Sequence, residues 1–118
     1  MRQLAKTFKA LSDETRLRIL NLLIERECCV CEIMQAMGIS QTRASRNLSI
    51  LYGAGFLNAR RNGMWVLYSL DQDKYPLIIE TLKKSLQNNR EAARDLDRLR
   101  NARRIGVAGI CASGASCN

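Results

Sequence analysis

The chain has 118 residues and a strongly basic balance, with 19 Lys plus Arg against 11 Asp plus Glu, a net charge of +8 and no histidine. That length suits one domain with a modest core rather than an enzyme with a deep cleft, and the charge points to a polyanionic partner, nucleic acid or an anionic membrane surface. No apolar run approaches the roughly 20 residues of a membrane-spanning helix, and MRQLAKTFKAL lacks the apolar core of a signal peptide, so a cytoplasmic protein with no membrane partner is expected.

Taken in chain order, Ser12 followed by Asp13 and Glu14 reads as a helix start, with the Ser12 hydroxyl capping free amides and the acids favouring the positive end of the helix dipole. Leu17, Leu20, Leu23 and Ile24 then recur at helical spacing and predict a helix over about 13–26. A short second pattern, Val30, Ile33, Met34 and Met37, stops at Gly38, a residue suited to the left-handed termination of a helix. Ser40 is placed to cap the next helix, 41–52, whose inward residues are Ala44, Leu48 and Leu51. Thr42, Ser45, Arg46 and Ser49 fall on the opposite side.

Two helices joined by MGIS have the proportions of a helix-turn-helix, in which the second helix enters the major groove. Ser40, Gln41, Thr42, Arg43, Ser45, Arg46 and Ser49 are the candidate contacts to double-stranded DNA. The alternative is an ordinary solvated helix pair. FLNARRNGMWVLYSL follows, two β-rich runs around Asn62-Gly63, predicting a hairpin with a type I′ turn in which both residues take positive φ. Its Arg60 and Arg61 suit a wing that reaches the phosphates beside the groove.

After Pro76 the apolar positions Ile79, Leu82, Leu86, Ala93, Leu96 and Leu99 predict one long helix or two shorter ones, with a polar interruption at Asn88 and Asn89. So small a domain gives such a stripe little to cover, so burial against a second copy is expected; a homodimer also fits a reader of two half-sites. GVAGICASGASCN is small and glycine-rich, which sets the organisation as a domain over 1–104 and a flexible tail over 105–118 that carries Cys111 and Cys117. The fold class is mainly α with a small β-hairpin, a winged helix-turn-helix.

ECCVCE, residues 27–32, crowds Cys28, Cys29 and Cys31 between two acids. With five cysteines, an odd number, in a reducing compartment, metal ligation or redox chemistry is favoured over structural disulfides. A four-cysteine zinc site is disfavoured, because CCVC lacks the paired C-x-x-C spacing.

LSDETRLRIL, CVCEI, GISQTRASRNLSILYGAGFL and RRNGMWVLYSL together resemble the ArsR/SmtB-type metalloregulatory winged-helix repressors over about residues 4 to 80. ECCVCEI is similar to the ELCVCD box of the arsenite-responsive branch, with thiols at the positions of Cys29 and Cys31. The resemblance implies a homodimer that shuts off a resistance operon and leaves its operator when the metalloid binds. The chain departs from the family pattern at Asn47, where many members have His, and at Met34, where some have a third Cys.

In an intact helix Cys29 and Cys31 would project about 200° apart, so sharing one ion would require local unwinding; Cys28 and Cys31, three apart, would face the same way. Cys28, Cys29 and Cys31 are therefore the candidate ligands, with Cys111 or Cys117 of either subunit as further donors or as a second site. Unpaired thiols on a frayed end are the simpler alternative for the last two. Thiolates are soft donors, which favours As(III), Sb(III), Cd(II) and Pb(II) over hard ions, and the missing histidines remove the usual nitrogen ligands for nickel or cobalt. The resemblance to the arsenite-responsive branch, with a trigonal set of three thiolates, implies As(III) or Sb(III) as inducer, with Cd(II) or Pb(II) as the alternative. Ligation is expected to distort the helix beginning near Val30 and so misplace the reading helix.

A redox sensor that works by disulfide formation stays open. An enzyme resembling an arsenate reductase, with Cys31 as nucleophile, would need a low-pKa thiolate beside a base or anion loop. The sequence offers neither loop nor histidine, and Glu27 and Glu32 would raise the thiol pKa values, so no catalytic residue is expected.

Overall fold

The computed structural model describes residues 1–106. Among them the chain forms α1 (Arg2–Leu11), α2 (Glu14–Glu25), α3 (Val30–Met37), α4 (Gln41–Gly53), a hairpin of β1 (Leu57–Asn62) and β2 (Trp65–Leu70), α5 (Pro76–Leu86) and α6 (Arg90–Asn101). This is a mainly helical fold with one antiparallel hairpin, as the residue patterns predict, with α1 in addition.

Caps decide where these helices begin. Asp13, not Ser12, caps α2: its carboxylate accepts the Arg16 amide at 3.1 Å, while the Ser12 hydroxyl donates backwards to the Lys9 carbonyl at 2.7 Å and closes α1. The shorter reach of Ser12 is already spent one helix earlier. Gly38 ends α3 at φ 64° and ψ 36°, the left-handed conformation expected of it, and Ser40 caps α4 by accepting the Arg43 amide at 3.1 Å.

The core lies where α2, α3 and α4 meet: Ile19, Leu22, Ile33, Ala36, Leu48 and Leu51 are all fully buried there. Burying each of the larger side chains is worth roughly 1.5–3 kcal/mol, which fixes the angle of α4 on α3. Asn47 adds a polar tie, since its amide oxygen accepts from Arg16 at 3.0 Å and its nitrogen donates to the Arg43 carbonyl at 2.9 Å.

Asn62 pairs with Trp65, so the hairpin loop is Gly63-Met64 rather than Asn62-Gly63. Gly63 takes φ 62° and, among the described residues, no non-glycine residue takes positive φ, a pattern of type II′ in place of the expected type I′. Placing the glycine first in the loop relieves Asn62 of a strained conformation and lets it pair.

The stripe after Pro76 is divided between two helices, broken where Asn89 caps α6 by accepting the Ala92 amide at 2.9 Å. The expectation that it buries against a second copy is corrected in part: Ile79, Leu82 and Leu99 are buried within the same chain, Ala93 is exposed, and α6 turns Ala92, Asp95 and Leu99 inward instead. Asp95 is fully buried and accepts two bonds at 2.8 Å from Arg18 of α2, which is how a carboxylate is tolerated there. Uncovered apolar surface, with Phe8 and Leu77 exposed, is found instead in a groove of about 420 Å³ between α1, α2 and α5, lined also by Leu11, Leu17, Ile78 and the edge of Leu82. Among the described residues no helix is long and apolar enough to cross a membrane.

Candidate functional site

The thiol segment sits between the end of α2 and the start of α3. Cys29 is the N-cap of α3, with extended backbone at φ −88° and ψ 169°, and Cys31 is the second residue inside the helix. The rotation of 100° per residue applies only between residues that are both helical. The two sulfurs therefore do not point apart as expected; they lie 2.7 Å from each other. Unwinding on the ground of a separation of about 200° inside a helix thus does not apply to this pair. Both thiols are buried, and beside them opens a cavity of about 200 Å³ lined also by Val30, Met64, Trp65, Val66 and Gly106.

Cys28 does not share the side of Cys31, because it lies before the helix in an extended stretch. Its amide donates to the Tyr68 carbonyl at 3.0 Å, the Tyr68 amide donates back at 2.8 Å, and its thiol donates to the Arg26 carbonyl at 3.4 Å. Among the described residues no three side chains of metal-ligating type stand together. Cys111 and Cys117 lie outside the described residues.

Charge around the pair is organised by Glu32, which is buried. Burial works against its carboxylate, but the Cys29 amide at 3.0 Å, Arg26 at 2.6 Å and Arg104 at 3.1 Å all donate to it and hold its pKa below the usual range. Burial pushes the Cys28 thiol up to about 12, and burial first, then the hydrogen bond with Cys31, raises that of Cys29. The direction agrees with the sequence reading; the cause is mainly desolvation, with the Glu32 charge a lesser contributor.

Sequence reasoning passed over Arg26, Gln35, Arg103 and Arg104. Gln35 donates to the Cys31 carbonyl at 2.9 Å and to the Arg103 carbonyl at 2.6 Å, and accepts the Arg103 amide at 3.1 Å. The segment after α6 is thereby strapped across α3, with the Cys31 thiol 3.8 Å from the Arg103 carbonyl. A usable signal was present in Cys29-x-x-Glu32, the spacing of a capping box with cysteine in the place of serine.

On the helix-turn-helix, Gln41, Thr42, Arg46 and Ser49 are exposed along α4 and Ser45 is half-buried. Ser40 is engaged as the cap, and the Arg43 guanidinium donates to the Thr15 hydroxyl at 2.8 Å, tying α4 to α2. No acid stands in the first turn of α4, so its amide end keeps its positive potential. In the wing, Arg61 is exposed opposite Val66, whereas Arg60 reaches back to the Glu27 carboxylate at 3.1 Å.

Comparison with known proteins matches residues 13–59 to the family described as bacterial regulatory protein, arsR family. The chain is 45% identical over 83 residues to the arsenic resistance transcriptional regulator ArsR2 of Pseudomonas putida, covering 70% of this chain and 72% of that one. It is 39% identical over 90 residues to a cadmium resistance transcriptional regulatory protein CadC homolog of Staphylococcus aureus, covering 75% and 72%. Among solved structures, the homodimeric winged helix-turn-helix DNA-binding domain of a possible ArsR-family transcriptional regulator from Mycobacterium bovis superposes with a TM-score of 0.65 at 32% identity, covering 73% of this chain and 80% of that one.

Proposed function

Since the chain belongs to the arsR family of bacterial regulatory proteins and is a winged helix-turn-helix transcriptional repressor rather than an enzyme, we propose that it silences a metalloid-resistance operon in the cytoplasm and leaves the operator when its thiols capture As(III) or Sb(III). The observation that carries this reading is the pair of buried sulfurs of Cys29 and Cys31, 2.7 Å apart above a cavity, at the N-terminal end of the helix on which α4 is packed. Two thiols this close can turn onto one thiophilic ion, which would hold its sulfurs further apart than in the empty site and would find strong bonds to sulfur and little else in this histidine-free chain. The third thiolate is recruited from Cys28, Cys111 or Cys117.

The residues of the site make the coupling local. Cys29 holds Glu32 through its amide, Cys31 faces the strap at Arg103, and Cys28 is bonded to the wing. Pulling these sulfurs around a common guest shifts the start of α3 and the bridge to Tyr68 together, with the helix itself kept intact. For release, the free form must hold the inducer more tightly than the DNA-bound form; a hundredfold preference corresponds to about 2.7 kcal/mol per site.

DNA contact falls to Ser40, Gln41, Thr42, Arg43, Ser45, Arg46 and Ser49 on α4 and to Arg60 and Arg61 on the wing. A homodimer joined through the apolar groove of α1 and α5 presents two such surfaces to two half-sites. An oxidant sensor would need a thiolate within reach of peroxide, which it attacks as the nucleophile, whereas Cys28, Cys29 and Cys31 are all buried.

The test is fluorescence anisotropy of the purified dimer on its own upstream DNA, titrated with As(III), Sb(III), Cd(II), Pb(II) and Zn(II), in the native chain and in Cys29→Ser with Cys31→Ser. The native protein is expected to let go with As(III) or Sb(III), and the double variant to bind equally well and stay bound. Release of the double variant by arsenite contradicts the site; release of the native chain by Cd(II) or Pb(II) alone reassigns the inducer. Single Cys28→Ser, Cys111→Ser and Cys117→Ser variants identify the third donor.

A further inference from the structure

Glu27 is the member of the thiol segment whose side chain reaches the wing. Both of its carboxylate oxygens accept from the Arg60 guanidinium, from Nε at 3.1 Å and from Nη2 beside it. One residue on, the Cys28 backbone is doubly bonded to Tyr68 of β2. The segment 27–28 thus holds both strands of the hairpin, β1 by a side-chain fork and β2 by main chain, and is fixed where Arg60 can find it.

This pair stands in the open: the Arg60 side chain is 58% exposed and that of Glu27 is 31% exposed. A solvated pair of this kind is weak and screened by salt, so it does not lock the arginine away. A bidentate carboxylate nevertheless offers the guanidinium the same planar two-oxygen face that a phosphodiester offers. Arg60 cannot serve both fully. Arg61, the next residue of the same strand, has its side chain on the opposite face and carries no such partner among the described residues.

We propose that Glu27 is an internal competitor for the DNA phosphate that Arg60 would otherwise contact, so that the thiol segment sets how much of the wing's charge reaches the operator. This rests on the reading of the hairpin as a DNA-contacting wing, and it deepens that reading by naming the residue that restrains it. The competition operates without any inducer, so it is measured in its absence and stands or falls apart from the metalloid site.

The experiment is operator affinity against salt concentration, without inducer, for the native chain, Glu27→Gln, Arg60→Ala and the double variant. Glu27→Gln is expected to tighten binding about three- to tenfold near 0.1 M salt and to steepen the slope of log K against log salt by about 0.9, the value for one further phosphate neutralised. The gain should vanish when Arg60→Ala is combined with it. Arg61→Ala serves as the reference for a wing arginine seated on phosphate: native Arg60→Ala should cost less than Arg61→Ala, and about as much once Glu27→Gln is present. Glu27→Gln with unchanged affinity and slope overturns the proposal, as does a gain that survives Arg60→Ala, which would mark a diffuse charge effect. Glu27→Ala, which removes the fork altogether, should behave as Glu27→Gln does.

Discussion

A cysteine at the N-cap instead of inside the helix is what allows two thiols two residues apart to meet. Glu32 maintains that arrangement, because its carboxylate accepts the Cys29 amide while two arginines neutralise it. Glu32→Ala is expected to lower folding stability by about 2 kcal/mol, as loss of a charge-assisted cap that strands an amide and two partly exposed arginines should; urea unfolding measures it, and an unchanged midpoint would show that the carboxylate is dispensable. Single residues were legible wherever their chemistry is local. Gly38 and Ser40 follow from a left-handed end and a cap, both written within four residues of chain. Ser12 and Asn62 each misled by one position, because two adjacent residues can do the same job locally and tertiary pairing chooses between them: Asp13 over Ser12 at the cap, Gly63-Met64 over Asn62-Gly63 at the turn.

Among the elements, α4 and the wing carry the charge proposed to meet DNA. Arg46 is exposed on α4 and Arg61 on β1. Replacing either with Ala should weaken operator binding and flatten the slope of log K against log salt by about 0.9 for each phosphate left without its arginine; unchanged affinity and slope would place that arginine off the interface. The α2, α3 and α4 pattern was readable because Leu and Ile recur on one face and Gly or Ser punctuates each end. The first helix was not, since α1 turns Thr7 and Ala10 inward and leaves Leu4 and Phe8 exposed, the reverse of the pattern that marks a core helix. The last helix was misjudged for a related reason: α6 buries an aspartate, which no apolar count detects, because Arg18 of another helix takes the role of partner.

In the whole molecule, the thiol segment, the wing and the strap after α6 converge on one end of α3, while the apolar groove of α1 and α5 lies apart from them. Leu77 is 81% exposed and Phe8 is 58% exposed on that groove, far more than an isolated domain gains from leaving them in water. Leu77→Glu with Phe8→Glu should yield a monomer by analytical ultracentrifugation with its secondary structure intact and its operator affinity reduced at least tenfold; a dimer of native size would move the interface elsewhere. None of this convergence could be read from the sequence, because the pairings that create it, Cys28 with Tyr68 and Gln35 with Arg103, join residues 40 and 68 positions apart in the chain.

The proposed opposition of thiol capture and operator grip runs through one short segment, and thermodynamic reciprocity makes it measurable from the side of the inducer. The decisive measurement is the affinity of the dimer for arsenite with and without saturating operator DNA. Operator should weaken arsenite binding by the same factor by which arsenite weakens operator binding, and both factors should collapse to one in Cys29→Ser with Cys31→Ser. An arsenite affinity that operator DNA leaves unchanged in the native chain would contradict the coupling.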